Sequence, residues 1–472
     1  MMNLPEVAGP TQKRLSFKEK LKWTLIILVL FFIMGVIPLF GLDPNSALKQ
    51  FEYLSMILGA QFGSLMSLGI GPIVTASIVL QLLNGSGIVK FDLTSHDGKR
   101  NFQAIQKLLS IFFILFEAAI YVMMGGLVPA TQFKGTSLYF EMELLLIFQL
   151  ILGGIIILFM DEVISKWGFG SGISLFIAAG VSQGLFVRAL SPLHIMEGGI
   201  RGDAFIGAVP ELFRALSVRE PITAALMFFG IFFTVVVFVI AVFTQAMKIE
   251  IPLSFGRIRG HGIRWPLSFI YTSNIPVILV AALMANVQLW ARLLENWGHP
   301  FLGTFAGNTP SAGFVTWIYP PNIVEKIITN SIRIFPMNNG VADAFRQSDI
   351  THALSYIFIM VIGCIIFSYF WVQTAGMDAK SQAKQIMSSG LQIPGFRKDP
   401  RVMERLLNRY IGPLTIMGAI SIGFLAALAD ITGALTSGTG LLLTVMIIYK
   451  LYEEIAKEHM MDMNPMMRKF MT

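Results

Sequence analysis

The side chains able to do chemistry are few and mostly scattered. One stands out: Glu117, set inside the apolar run FFILFEAAIYV. A carboxylate at that depth in hydrocarbon is costly. Two readings are open. It is protonated or hydrogen-bonded to a neighbouring helix, or it belongs to a polar seam between spans that can separate. Thr75 and Asn286, each polar within its own apolar run, are the candidate partners and would set three helices side by side. The rest of the inventory argues against catalysis. The six histidines are dispersed and form no H-E-x-x-H, which excludes the common zinc protease pattern. The single cysteine, Cys364, lies mid-run in apolar sequence and reads as a core residue, so a disulfide within the chain and a thiolate metal cluster are both excluded. No G-x-x-x-x-G-K-[ST] loop is present, and the glycine-rich GFGSGISLF at 168–176 opens a helix and follows no strand. A proton-coupled carrier or an aspartyl protease of the membrane needs more ionisable partners than Glu117 has. The expectation is a protein that is not an enzyme, with no cofactor and no metal.

The elements that would position these residues are membrane spans. Of 472 residues, 55% are hydrophobic and only 13% charged, about half the charged share of an ordinary globular domain. Spans are expected near 22–41, 70–84, 107–128, 141–160, 172–190, 222–246, 266–289, 351–373, 410–429 and 438–456. Most of the 35 lysines and arginines fall in the connections that share a side with the N-terminus, so both termini are expected in the cytoplasm. The net charge of +7 is then a basic cytoplasmic face and not the mark of a soluble nucleic-acid binder. The segment at 12–23, QKRLSFKEKLKW, reads as a basic amphipathic lead-in with no cleavable signal.

The second span, opening at Pro72 within GIGPIVTASIVLQLL, is too short to cross a bilayer by itself. It has an echo: the seventh opens after Pro276 and ends QLW where the second ends QLL. The two run in opposite directions, the trace expected of an inverted repeat, although prolines near helix starts are also ordinary. Ile70 and Val74, like Ile173 and Ile177, are four residues apart and share a helix face, which by itself is ordinary packing. On the cytoplasmic side, IEIPLSFGRIRGHGIRWPLSF at 249–269 reads as a hairpin projecting Arg257, Arg259 and Arg264. A later connection, 374–409, carries an amphipathic helix near 377–388, a GLQIPG break and a basic run. The external stretch of about 60 residues after Trp290 is given no chemistry.

Taken together these stretches resemble the SecY family, the channel-forming subunit of the protein translocon, in its archaeal form. The resemblance rests on FKEKLKWT (17–24), LGIGPIVTASIVLQLL (68–83), QKLLSI (106–111), GSGISLFIAAGVSQ (170–183), EIPLSFGRIRG (250–260), SNIPVIL (273–279), GFRK (395–398), RYIGPLT (409–415) and GTGLLLTV (438–445). It implies an all-α polytopic membrane protein of ten transmembrane helices in two inverted, pseudo-symmetric halves of five. Those halves are 1–190 and 222–456, joined by an external hinge at 191–221, with a cytoplasmic tail at 457–472. A half-span plug helix is implied near 53–63, with Tyr53, Leu54, Ile57, Leu58, Gln61, Phe62 and Gly63; many relatives carry a basic residue at the position of Gln61. An apolar pore ring is implied at Ile70, Val74, Ile173, Ile177, Ile278 and Leu443, able to exclude water by dewetting. A lateral gate between spans two and three and spans seven and eight is implied at Thr75, Glu117 and Asn286. Arg257, Arg259, Arg264, Arg397 and Lys398 match ribosome-docking positions, the alternative being that they only enforce topology. The implied partners are SecE/γ-type and small β-type membrane subunits, the ribosome through rRNA phosphates, signal sequences and nascent polypeptides, and lipid. The expected place is the cell membrane.

A secondary transporter with inverted repeats is the alternative. It would need charged or backbone ligands at the midplane, where this chain offers aliphatic side chains.

Overall fold

A computed structural model describes residues 5–11, 15–43, 59–85, 88–89, 91, 96–136, 138–197, 200–255, 262–307, 309–334, 347–388, 391–392 and 399–463. A helix stands at each expected span: α1 (Phe17–Val36), α2 (Gly71–Gly85), α3 (His96–Met123), α4 (Leu138–Trp167), α5 (Gly172–Leu190), α6 (Pro221–Ala246), α7 (Ile275–Asn296), α8 (Gln347–Thr374), α9 (Pro400–Ile431) and α10 (Gly438–Met463). Among the described residues, seven of the chain's helices are both long and apolar enough to cross a membrane. The helix α2, of 15 residues, is not: at 1.5 Å per residue it rises only about 22 Å.

Burial separates the helices by role. The most apolar window of α7 is 72% buried and that of α6 only 11%. So α7 is a central strut, while α6 turns Phe228, Phe232, Val235 and Phe243 outward, as a lipid-facing helix does. One half packs α2 on α3, α3 on α4 and α1 on α4; the other packs α8 on α7 and α9, and α9 on α10. The two groups meet along two lines. On one side α2 lies against α7 and α8; on the other α5 lies against α10.

The short helix and its echo share a local geometry. Gly69 (φ +54°) and Ser273 (φ +59°) each stand three residues before a proline and adopt the left-handed conformation. Each donates its N–H to the carbonyl three residues back, Gly69 to Met66 (2.9 Å) and Ser273 to Ile270 (3.1 Å). Each helix then opens with its proline at the second position, Pro72 in α2 and Pro276 in α7. Proline has no N–H and a preset φ, so it costs nothing there. This restart also corrects the expected start of the seventh span. Residues 266–268 belong to a strand, and the helix begins at Ile275 and runs on to Asn296.

Outside the spans lie small sheets. β1 (Lys248–Phe255) pairs antiparallel with β2 (Gly262–Ser268), as the hairpin reading anticipates. A third strand, β3 (Leu391–Gln392), adds to β1 through Ser254↔Gln392 and Phe255↔Leu391. Beneath them Ile251, Leu267, Val372, Ile386, Met403 and Leu407 form a core of their own, separate from the main one. Tyr271 ties the hairpin base to the later connection by donating to the Met377 carbonyl at 2.7 Å. On the opposite side stand two hairpins, His194–Glu197 with Ile200–Phe205 and Gly303–Ala306 with Thr309–Gly313. Short helices follow at Ala208–Val218, Phe314–Ile318 and Ile323–Ile334. Lys20 of α1 bonds Glu458 of α10 at 2.9 Å, so the start of the first span and the end of the last share one face.

Candidate functional site: a waist between two cavities

Two cavities approach each other along the axis between the halves. One, of about 430 Å³, is lined by Val74, Ser77 and Gln81 of α2, Asn274 and Ile278 at the head of α7, and Ile447, Lys450 and Glu454 of α10. Asp161 and Ile173 complete it on the α4–α5 side. The other, of about 620 Å³, is lined by Gly59, Gln61, Gly180, Gln183, Arg188 and Leu435. The order of residues along three separate segments shows what lies between them. Along α5, Ile173 lines the first cavity, Gly180 and Gln183 the second, and Ile177, between them, neither. Before and within α10, Leu435 lines the second cavity, Ile447 the first, and Leu443 neither. From Gly59 to Val74 the chain passes from second cavity to first, with Ile70 between.

Ile70, Ile177 and Leu443 are 1–2% exposed. Ile278 and Val74 are also buried, and Ile173 is half-buried, packed on the same core. A Cβ built on Gly59 would stand 3.8 Å from both the Ile70 Cγ1 and the Phe176 carbonyl, so the loop, the head of α2 and the Ile177 turn of α5 are in mutual reach. The six aliphatic residues thus divide into two levels, Val74, Ile173 and Ile278 bordering the first cavity and Ile70, Ile177 and Leu443 sealed behind it. These six side chains carry no group that could replace an ion's hydration.

The segment leading into α2 covers that waist from the second cavity. Of the expected plug residues, Tyr53, Leu54, Ile57 and Leu58 lie outside the described residues. Gln61, Phe62 and Gly63 are described and sit in turns, not in a helix. Irregular backbone buried this deep must find its hydrogen bonds within the protein, and serines supply them. Ser67 Oγ accepts from the Gly63 N–H (2.9 Å) and reaches the Ser64 carbonyl (2.6 Å), while Ser64 Oγ donates to the Gln61 carbonyl (2.7 Å). Gln61 Nε2 donates to Gln183 Oε1 of α5 at 3.3 Å. Sequence reading missed these two serines; their one signal was a pair of hydroxyls between Gly63 and Gly69.

The seam residues meet. Asn286 Nδ2 of α7 donates to Thr75 Oγ1 of α2 at 2.9 Å, and Thr75 Oγ1 lies 3.2 Å from Glu117 Oε1 of α3. The same hydroxyl is 2.8 Å from the Gly71 carbonyl. Its single proton therefore has two acceptors to choose from. Glu117 Oε2, Asn286 Oδ1 and the nearby Tyr121 hydroxyl are buried with no hydrogen-bond partner. Buried polar atoms left unpaired cost free energy, so the cluster binds less firmly than its number of groups suggests. Elsewhere Cys364 is free and buried, facing Gly423 of α9, and among the described residues no group of His, Cys, Asp or Glu could hold a metal ion.

Of the expected docking residues, Arg264 is exposed and pairs with Glu250 across the hairpin at 3.0 Å. Arg257, Arg259, Arg397 and Lys398 lie outside the described residues. The β1–β3 pairing ties the connection that carries Arg397 and Lys398 to the hairpin that carries Arg257 and Arg259, a link the sequence does not announce.

Comparison with known proteins agrees with this architecture. The profile of the SecY family matches residues 64–452, and that of the plug domain of Sec61p matches residues 29–63. The protein translocase subunit SecY of Pyrococcus furiosus is 41% identical, the match covering 98% of this chain and 96% of that one. A solved structure described as "The structure of a protein conducting channel" superposes with a TM-score of 0.80 at 41% identity, covering 98% of this chain and 96% of that one. Sec61 in the canine ribosome-channel complex from the endoplasmic reticulum superposes with a TM-score of 0.77, also at 41% identity and with the same coverage. The chain belongs to the SecY family.

Proposed function

We propose that this chain, a protein-conducting channel subunit and not an enzyme, holds its resting pore closed by the aliphatic waist at Ile70, Val74, Ile173, Ile177, Ile278 and Leu443. The observation that carries the reading is the ordering along three segments, each passing from one cavity to the other through a buried aliphatic residue. No side chain at the waist offers a binding group, so passage depends on the bulk and yielding of the gasket and not on the sequence passing through. The turn region ending at Gly69 acts with it as the inner part of a plug. The pair of left-handed restarts before Pro72 and Pro276 supports two inverted halves, 1–190 and 222–456.

The line of contact between α2 and α7–α8 is the lateral gate, fastened by Thr75, Glu117 and Asn286, and the α5–α10 line is the hinge side. A hydrophobic signal segment entering the gate exchanges weak interhelical hydrogen bonds, worth about 0.6–2 kcal/mol each, for its own apolar contacts. The chain works as a multi-pass membrane protein with the ribosome as partner; SecE/γ-type and β-type small subunits complete the complex, and both termini face the cytoplasm. The shared face of Lys20 and Glu458 supports the common side of the termini, and the basic loops supply its sign.

The test is electrical. The purified complex in planar bilayers carries Ile70→Gly, Ile173→Gly and Ile278→Gly together. We expect a resting ion leak absent from the wild type; a resting conductance equal to wild type would remove these residues from the seal.

A further inference from the structure

In the first half, the carboxylate of Asp161, near the end of α4, accepts the Ile173 N–H at the head of α5 at 3.0 Å, with the Gly172 N–H as a second donor. In the second half, the carboxylate of Asp430, near the end of α9, accepts the Thr439 N–H at the head of α10 at 2.8 Å, with the Gly438 N–H as a second donor. Thr439 Oγ1 and the Tyr356 hydroxyl of α8 (2.7 Å) also donate to Asp430. A carboxylate is well placed at a helix head, where backbone N–H groups have no partner inside the helix and the dipole is positive. In α5 the cap position is held by Ser171, which makes no side-chain capping bond, so Asp161 does that work from the preceding helix.

Both contacts need glycine on the receiving helix. A Cβ on Gly172 would stand 2.6 Å from the Asp161 Cα, and one on Gly438 would overlap the Ala429 carbonyl. Both heads lead to the waist: Ile177 is five residues beyond Gly172, and Leu443 five beyond Gly438. The heads lie at opposite ends of the axis, since Asp161 lines the first cavity and Leu435, three residues before Gly438, the second.

We infer that Asp161 and Asp430 are a matched pair of positioning residues. Each docks the head of one pore-lining helix onto the end of the helix before it, and so fixes the depth at which Ile177 and Leu443 meet. The inference rests on the waist reading above and adds to it the parts that hold two of its members in register.

Two readouts on the complex in lipid nanodiscs and planar bilayers test it: amide hydrogen exchange over 170–176 and 436–443, and resting conductance. Asp161→Ala and Asp430→Ala should each speed exchange at their own helix head by roughly tenfold or more and raise the resting leak. Asp161→Asn and Asp430→Asn, which keep an acceptor oxygen in the same place, should restore most of the protection. Gly172→Ala, with Asp161 intact, should loosen the α5 head from the other side of the contact, and it stands in if an alanine variant does not assemble. Wild-type exchange in Asp161→Ala or in Gly172→Ala would overturn the inference. So would asparagine variants as unprotected as the alanine ones, because the acceptor oxygen would then not be what holds the helix head. Exchange reads the docking whether or not the waist seals. A leaky ring variant beside unchanged aspartate variants defeats the docking alone, and faster exchange beside a non-leaking ring variant defeats the seal alone.

Discussion

Thr75 is the residue on which the seam turns, because one hydroxyl serves three helices. It takes a hydrogen bond from Asn286 on α7 and reaches both Glu117 on α3 and its own helix backbone. Loss of the Asn286 amide removes the hydrogen bond that links this cluster to α7. Asn286→Ala should ease gate opening by about three- to thirtyfold, the worth of one interhelical hydrogen bond. It should show as acceptance of less hydrophobic signal sequences in a translocation assay, and an unchanged signal threshold would count against the seam. In a Cys364→Ala background, Thr75→Cys with Asn286→Cys should cross-link under mild oxidation in the closed state, the two native side chains being in direct contact. The seam was legible in the sequence because a polar residue in an apolar run has few ways to be satisfied. The proposed ring was not legible in the same way. Ile173 with Ile177 is a spacing found on any buried helix face, and only the resemblance, and then the two cavities, singled the pair out.

At the scale of elements, the sequence announced helices better than it announced what joins them. Long apolar runs place α1, α3, α4, α6 and α8 with few alternatives, since little else satisfies backbone groups in lipid. The third strand escaped notice because two residues, Leu391 and Gln392, carry no periodicity of their own; their pairing depends on a partner over a hundred residues away. The connection read only as a hinge at 191–221 holds more structure than its composition suggested. There Glu211, buried on the helix Ala208–Val218, accepts the Phe205 N–H at 2.7 Å and a two-pronged contact from Arg214. Arg214 also bonds Glu220 at 3.0 Å, at the threshold of α6. The Arg214 guanidinium, helped by the Phe205 amide, holds the Glu211 carboxyl below the usual glutamate range. Because the folded value is the lower one, this group stabilises the connection above about pH 4.3, the ordinary glutamate value. That contribution is lost as pH falls from there through the lowered value. Hydrogen-exchange protection over 194–197 and 200–218, taken relative to the intrinsic amide rate at each pH, should therefore fall below about pH 4.3. Glu211→Gln, trading a charged acceptor for a neutral one, should cost roughly 1.5–3 kcal/mol of local stability and flatten that acid dependence. Acid-insensitive protection in the wild type would show that the hairpin and α6 are held together by something else.

The whole molecule is two helix groups meeting along two lines. The sheet of β1, β2 and β3, underlain by its own small core, joins the two longest basic connections into one platform that stands apart from the membrane core. Arginine on it suits phosphate, because the planar guanidinium bonds two oxygens at once, and such contacts release counterions and weaken as salt rises. We therefore expect Arg257→Glu and Arg397→Glu, singly, to weaken binding of empty ribosomes to the complex by about tenfold at low salt. The difference from wild type should shrink as salt rises and the phosphate contribution fades. Arg264→Glu should do less, because Arg264 is engaged with Glu250 and reversing it disturbs the hairpin as well as the charge. Binding assays across a salt series separate the docking role from a topological one. If Arg257→Glu and Arg397→Glu bind ribosomes as the wild type does at low salt while the chain inserts normally, the basic loops serve only to orient it. If both lose affinity and the salt slope falls with them, the platform holds the ribosome through its phosphates.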